Sequence, residues 1–200
     1  MLIYGASGHG KVVASCVIDS GNEIEGFFDD GYSAKEFFSY PFFGKYDKGI
    51  KKDVGVIIGI GSNAIREKVA QNIKHSFSKV IHPSAKIDKT VEISEGTVVF
   101  HDAIIQVDSK IGKHCIINTG SSIDHDGCIG DFVHIAPQVT ICGSVTVGDN
   151  TLIGANSTVI PNLSIGQNCV IGAGSVVVND LPDNVVAVGN PAKIIKKNER

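Results

Sequence analysis

A single periodicity constrains this chain more than anything else in it. Every sixth residue from Ile81 is Ile or Val: Ile87, Ile93, Val99, Ile105, Ile111, Ile117, Ile123, Ile129, Ile135, Ile141, Val147, Ile153, Val159, Ile165, Ile171 and Val177 follow without a break. Four residues after these anchors the side chain is usually small or compact (Ala85, Thr97, Ala103, Ser109, Cys115, Ser121, Gly127), and one residue after it is often glycine (Gly112, Gly130, Gly148, Gly154, Gly166, Gly172). A strand this short cannot bury its apolar side alone, so it must stack on the next copy of itself, and a hexapeptide period of this kind predicts a parallel β-helix. β-Branched anchors suit those strands. With 42% hydrophobic residues, 6% aromatic and no tryptophan, the core is expected to be aliphatic.

The residues ahead of the repeat read differently. Met1 to Tyr4 is a strand; Gly5-Ala6-Ser7-Gly8-His9-Gly10 leads into a helix ending at Gly21; Glu23 to Phe28 is a second strand, closed by Asp29-Asp30-Gly31. Val54 to Ile60 is a third strand, Gly59 to Asn63 turns into a helix running to about Lys74, and Ser78 to Ile81 is a short fourth strand. Such alternation predicts a small Rossmann-like α/β domain with a parallel sheet, over residues 1–78, ahead of an all-β domain over 79–200. Residues 32–52 carry no clean period. At the other end Asn179 to Asp183 breaks the hexapeptide register, and the basic tail from Ile194 is expected to fray or form a short helix.

Charge and cysteine usage remove several functions. A net charge of −3 gives no reason to expect nucleic acid or membrane binding. Five cysteines, odd in number and without a close pair, indicate neither a disulfide framework nor a zinc knuckle, and free thiols fit a cytoplasmic protein. The first residues lack a charged leader and enter a strand directly, in keeping with that expectation.

Candidate site residues fall in two places. The glycine loop, with Ala6, Ser7, Gly8 and His9, lies where the free N–H groups of a helix start attract phosphate. Its Gly-x-x-Gly-x-Gly spacing is not the dinucleotide one, but Asp29 and Asp30 stand about twenty residues on, where an acid can accept from a ribose hydroxyl or a base N–H. Gly59 and Ile60 end the neighbouring strand and would form a third wall, and His9 would face the nucleotide. In the repeat, His125 is flanked by Asp124 and Asp126, an arrangement suited to a general base. The repeat resembles that of the left-handed β-helix acyltransferases, which implies three hexapeptides to a coil, so that residues eighteen apart stack with Val107 below His125 and Gly143 above it. By that resemblance an open slot over the base is expected for a thioester, with the Gly143 N–H as oxyanion donor. Ala155 and Ala173, stacked beside Gly154 and Gly172, either answer the needs of tight coils or hold an extended pantetheine arm. No further histidine shares a column with His125 or His134, so no metal is expected there, and His75, His82 and His114 read as ordinary surface polarity.

Taken together, Gly5 to Gly10, Asp29-Asp30, Gly59 to Asn63, Ile117-Asn118-Thr119, His125-Asp126, His134 and Gly189-Asn-Pro-Ala-Lys193 resemble the NeuD/PglD-like family of bacterial sugar acetyltransferases. The resemblance spans essentially the whole chain and is nearest to the nucleotide 4-amino-sugar N-acetyltransferases. It implies a left-handed β-helix, three hexapeptides per triangular coil, and a homotrimer with active sites between adjacent chains. It further implies His125 as base, Asp126 tuning it where a near relative has Glu, and Asn118 assisting from the neighbouring chain. By the same resemblance His134, Gly143, Ala155 and Ala173 line the acetyl-CoA site, while Ala6 to His9 and Asp29-Asp30 hold a nucleotide-activated amino sugar, expected to be UDP-linked. O-Acetylation of a sialic acid-type sugar and a non-catalytic nucleotide-sugar-binding trimer are the alternatives.

Overall fold

The computed structural model describes residues 1–31 and 35–199, so part of the aperiodic segment lies outside the described residues. Three parallel strands, β1 (Leu2–Tyr4), β2 (Gly26–Phe28) and β5 (Val56–Ile58), make a sheet in the order β2-β1-β5, with helix α1 (Gly8–Asp19) joining the first two and α2 (Asn63–Asn72) following the third. All three strands are fully buried, as continuous apolar runs covered on both faces should be. Between β2 and β5 an antiparallel pair, β3 (Glu36–Phe37) with β4 (Tyr40–Pro41), folds Phe37 edge-on against Phe27, their ring centres 5.0 Å apart. The expected fourth strand does not extend this sheet. Phe77 makes one bridge to Val56, after which Val80–Ile81 pairs with Val98–Val99 and belongs to the β-helix.

From there the chain is a left-handed parallel β-solenoid of about six turns, built from two-residue strands on three faces. Register is 18 residues throughout: Ile105 pairs with Ile87 and Ile123, Ile111 with Ile93 and Ile129, Ile117 with Val99 and Ile135. The anchors from Ile87 on stack into one core, those from Val99 to Val177 with 2% exposure or less. The compact position four residues on has a second duty. Thr97 Oγ1 donates to Gly112 O and accepts from the Cys115 N–H, and Ser109, Thr151 and Ser157 do the same one coil to the next. Buried hydroxyls thereby satisfy turn amides that have no strand partner.

Corner residues three after the anchor adopt left-handed backbone, with φ between 57° and 62° at Asp102, Asp108, Asp126, Asn150, Asn156 and Asn162, which is why Asp and Asn recur there. The glycines one after the anchor answer coil spacing: a Cβ at Gly112, Gly148 or Gly154 would overlap backbone of the next coil. Gly154 and Gly172 therefore need no ligand to explain them.

The register break at Asn179 to Asp183 is a deletion of two residues. Leu181 bridges Ile165 and Val186 pairs with Val170, sixteen apart where eighteen had been the rule. The tail neither frays nor turns helical, because Lys193–Lys197 forms a strand antiparallel to Val185–Val188 and closes that face. Among the described residues no helix is long and apolar enough to cross a membrane.

Candidate active site

His125 stands at a corner of the prism, two residues after anchor Ile123, and is well exposed. Asp124 Oδ1 accepts from its backbone N–H at 2.9 Å, fixing the turn, while Asp126 Oδ2 lies 2.8 Å from the ring Nδ1. That contact makes Nδ1 the donor and leaves Nε2 as the free lone pair; the Asp126 carboxylate, through this hydrogen bond first, raises the imidazole above its ordinary value. The slot predicted above the base is not open. The imidazole folds over Gly143, where any Cβ would overlap Nε2 and Cε1, so Gly143 is empty of side chain because His125 itself lies there. The Gly143 N–H takes no partner among the described residues and Gly143 O accepts from Asn162, so the amide remains available as a donor. Beside the base, on the flat face, a shallow groove of about 190 Å³ runs between Ile104, Gln106, Ser122, Asp124, Thr140 and Cys142.

Asn118 is at a different corner of the coil, one residue after anchor Ile117, and nothing in a single chain brings it to His125. Its Nδ2 donates to His134 Nε2 at 3.0 Å and its Oδ1 accepts from the Thr119 N–H at 2.8 Å. His134 is on the face that the N-terminal domain covers. Here the outward residues Val80, Val98 and Ile116, with Phe100 at the corner, are buried against α1 and β1, each contributing about 1.5–3 kcal/mol of burial. Burial, and then the Arg66 cation, press His134 down to about 3.

His9, expected to face a nucleotide, belongs to the same seam. Its ring meets Phe100 edge-on at 5.7 Å and approaches His134 at 6.4 Å, and its Nε2 is buried without a partner. Burial next to an apolar coil, followed by Arg66, lowers it to about 4. The guanidinium of Arg66, almost wholly buried, holds the seam together. It donates from Nε to His114 O, from Nη2 to Phe132 O and Asn63 Oδ1, and from Nη1 to Ile60 O and Gly61 O. Fixed carbonyls take the place of a counter-ion around this buried cation. An Arg on an otherwise polar helix carried no sign of this in the sequence.

Two more histidines are not surface residues. His114 is buried between Phe77 (4.4 Å, edge-on) and Phe132 (4.9 Å, stacked), and burial lowers it to about 4. His75 is buried with Nδ1 2.7 Å from the Tyr46 hydroxyl and Nε2 3.0 Å from Ile50 O.

At the carboxyl edge of the N-terminal sheet a cleft of about 540 Å³ opens, its floor formed by Tyr4 and Ile60 and its sides by Asp29 and Asp30, Lys45 and Tyr46, and Lys68 of α2. Burial, then a hydrogen bond to Asp30, pushes the Tyr4 phenol up to about 12. Asp29 is already engaged by the Ala6 N–H (2.7 Å) and the Gly31 N–H (2.8 Å), so it staples the glycine loop to β2. The loop itself does not line the cleft. Gly5, Gly10 and Gly59 are pressed together so closely that a Cβ on any of them would strike the others' backbone, whereas Gly8 faces open space at the start of α1, where Ser7 makes no side-chain cap. Of the expected nucleotide residues, Asp29, Asp30 and Ile60 meet in the cleft, and Ala6, Ser7, Gly8, His9 and Gly59 are not among its lining residues. Lys45 and Lys68 join them as cations that the sequence did not single out.

Ala155, half-buried, and Ala173, exposed, stack as expected, with Gly174 N donating to Ala155 O. Gly189 and Ala192 bond to the coil at Ser175 and Val176, so the Gly189–Lys193 turn sits directly past this column.

Known proteins resemble the two halves separately and the whole together. The PglD N-terminal domain family matches residues 1–73, and the bacterial transferase hexapeptide family (six repeats) matches 128–161 and 144–179. A mutant perosamine N-acetyltransferase from Caulobacter crescentus, in complex with CoA and GDP-perosamine, superposes with a TM-score of 0.93 at 33% identity, covering 98% of this chain and 96% of that one. The chain belongs to the PglD-like family of sugar acetyltransferases. Within this family the acetyltransferase domain of PglB from Neisseria gonorrhoeae has a TM-score of 0.90 at 30% identity over 97% of this chain and 98% of that one, and it has also been solved with acetyl coenzyme A. UDP-N-acetylbacillosamine N-acetyltransferase of Bacillus subtilis is 39% identical over 111 residues, 48% of this chain and 49% of that protein. The match thus spans about half the length of that curated family member.

Proposed function

We propose that this family member transfers the acetyl group of acetyl-CoA to the amino group of a nucleotide-activated amino sugar. The observation that carries the reading is the His125–Asp126 pair: an exposed imidazole whose Nδ1 is held by a carboxylate and whose Nε2 lies over Gly143 beside an unpaired amide. The sugar amine attacks the thioester carbonyl carbon and forms the amide C–N bond. His125 Nε2 takes the proton that the nitrogen loses, the carbonyl oxygen is held by the Gly143 N–H, and the C–S bond breaks. The imidazolium then returns the proton to the departing thiolate. Asp126 stabilises the imidazolium, and no acyl-enzyme is needed.

The nucleotide occupies the cleft at the sheet edge, with Lys45 and Lys68 facing its phosphates and Asp30, which also holds the Tyr4 hydroxyl, accepting from the ribose or base with its remaining lone pairs. Ala6 to His9 act by holding that edge, and Asp29 by anchoring them. Coenzyme A runs along the methyl column of Ala155 and Ala173 toward the lysines of the last strand. His134 serves the donor site through Asn118, whose amide it orients. Since Asn118 and His125 occupy separate corners, a site containing both needs a second copy of the prism, and a closed threefold arrangement supplies it. The relatives' names include both UDP- and GDP-linked sugars; a UDP-linked acceptor is our assignment.

Thiol release from acetyl-CoA in the presence of UDP-, GDP- and dTDP-linked 4-amino sugars tests this. Release is expected with the 4-amino sugar nucleotides and not with their hydroxyl counterparts. Release with hydroxyl acceptors alone would make the protein an O-acetyltransferase, and release with none would leave a binding protein.

A further inference from the structure

We propose a divalent transition-metal site of the zinc class at the junction of the two domains, formed by Asp19, His82 and His101. This goes beyond the acetyl-transfer reading and does not depend on it. Asp19 is the last residue of α1, His82 follows the first anchor of the β-helix, and His101 lies on the next coil, so three segments distant in sequence converge. Their ligand atoms all lie within 4.8 Å of one another. The carboxylate Oδ2 of Asp19 is 3.4 Å from His82 Nε2 and 3.6 Å from His101 Nε2. Two ligands on one tetrahedral zinc, each at 2.0–2.2 Å from the ion, stand about 3.3 Å apart. The two nitrogen–oxygen distances therefore already have nearly the spacing a metal would impose, and the third pair lies within 4.8 Å.

The surroundings suit a cation in two further ways. Asp19 places a negative charge at the carboxyl end of a helix, where the dipole is unfavourable to it, and the last turn of α1 has no basic residue to offset the charge. The two imidazoles are held face to face, ring centres 3.7 Å apart and planes 26° from parallel, with both Nε2 atoms turned to the same oxygen. A small opening of that angle lets their lone pairs meet on one ion. Behind them, His82 Nδ1 accepts from the Ser84 N–H at 3.1 Å and lies 2.8 Å from Ser84 Oγ, which accepts from the Asp102 N–H; in the metal-free chain the ring proton is therefore on Nε2, toward Asp19, and a metal would take that proton's place. Two nitrogens and one carboxylate oxygen favour zinc, nickel, copper or cobalt over calcium or magnesium. His82 is mostly covered while His101 and Asp19 are open on one side, leaving the fourth position to water. A metal there ties the end of α1 to the first two coils.

Tag-free protein dialysed against a chelator is titrated with ZnCl2 against a chromogenic chelator, and separately with Co(II), reading the visible d–d bands. One equivalent per chain is expected, with tetrahedral cobalt bands and a rise in melting temperature on zinc addition. His101→Ala and Asp19→Asn should each lose the bands and the equivalent; Asp19→Asn keeps the size of the side chain, so it reads metal binding even if the alanine variant folds poorly. His125→Ala, which removes the other exposed His–Asp pair, should keep both. Absence of stoichiometric binding to the wild-type chain, binding that survives Asp19→Asn, or binding lost with His125→Ala would each overturn the assignment.

Discussion

His125 and His134 stand on the same scaffold, and the structure sends them in opposite directions. At an uncovered corner His125 meets a carboxylate and is raised; on the covered face His134 meets a coil, an apolar seam and a buried guanidinium and is driven down to about 3. The fold repeats every six residues, so the difference comes from what lies against each face. A base needs water on one side and an acid on the other, whereas a histidine that glues two domains must stay neutral. The N-terminal domain thus sets the chemistry of the prism as well as covering it.

The largest way to break the contrast is at the base. His125→Ala should lower the rate of acetyl transfer by ~10²–10⁴-fold with folding unchanged, measured by thiol release at saturating substrates. Gly143→Val should come close to the same loss, because the new side chain evicts the imidazole from its resting place. Normal turnover by Gly143→Val would show that the ring's position over Gly143 is irrelevant to catalysis.

A smaller effect is expected at the seam. Arg66→Met removes donors from the carbonyls of His114, Phe132, Ile60 and Gly61 and should cost about 3 kcal/mol in urea unfolding. The pH dependence carries a second signature. Folded values of about 4, 4 and 3 at His9, His114 and His134 lie below the ordinary 6.5. The unfolded chain therefore binds more protons: stability is complete above about pH 6.5 and lost as pH falls toward the folded values. With the cation gone, Arg66→Met should show a shallower acid loss than wild type. An equally steep one would mean that Arg66 does not oppose their protonation.

The smallest change sharpens the other side. Asp126→Asn removes the acid that raises His125, so the acidic limb of the rate profile should move to lower pH, with the plateau reduced by about tenfold or less. A limb that stays in place would separate Asp126 from the base.

Much of this was legible in the sequence, and unevenly. Ile81 to Val177 announced the solenoid because one residue per hexad must point inward at every coil, a constraint without tolerance for a slip. His125 and Asp126 were visible because they lie next to each other. The domain seam was not, although a trace of it exists: Val80, Val98 and Ile116 are apolar at the outward position on one face, where Glu92, Lys110 and Cys128 hold the equivalent place on another. Arg66, His9 and His114 gain their roles only from packing across that seam. The open slot over His125 was misjudged because stacking gives the place of a backbone, not the fold of a side chain onto it. Lys45 escaped notice in a segment without period.

The strand Lys193–Lys197 has a consequence for the size of the molecule. A parallel solenoid has no natural end: each coil exposes a fresh set of strand edges that fit another coil as well as its own predecessor. Here the spacing shortens from 18 to 16 residues, and the final strand then reverses direction, pairing Lys196 with Val186 and leaving lysines on its outer edge. A neighbouring solenoid presenting parallel strands would meet an antiparallel, charged border on that face. What this ribbon of chain sets on that face is a limit: the parallel register that the repeat could in geometry continue does not run past it there.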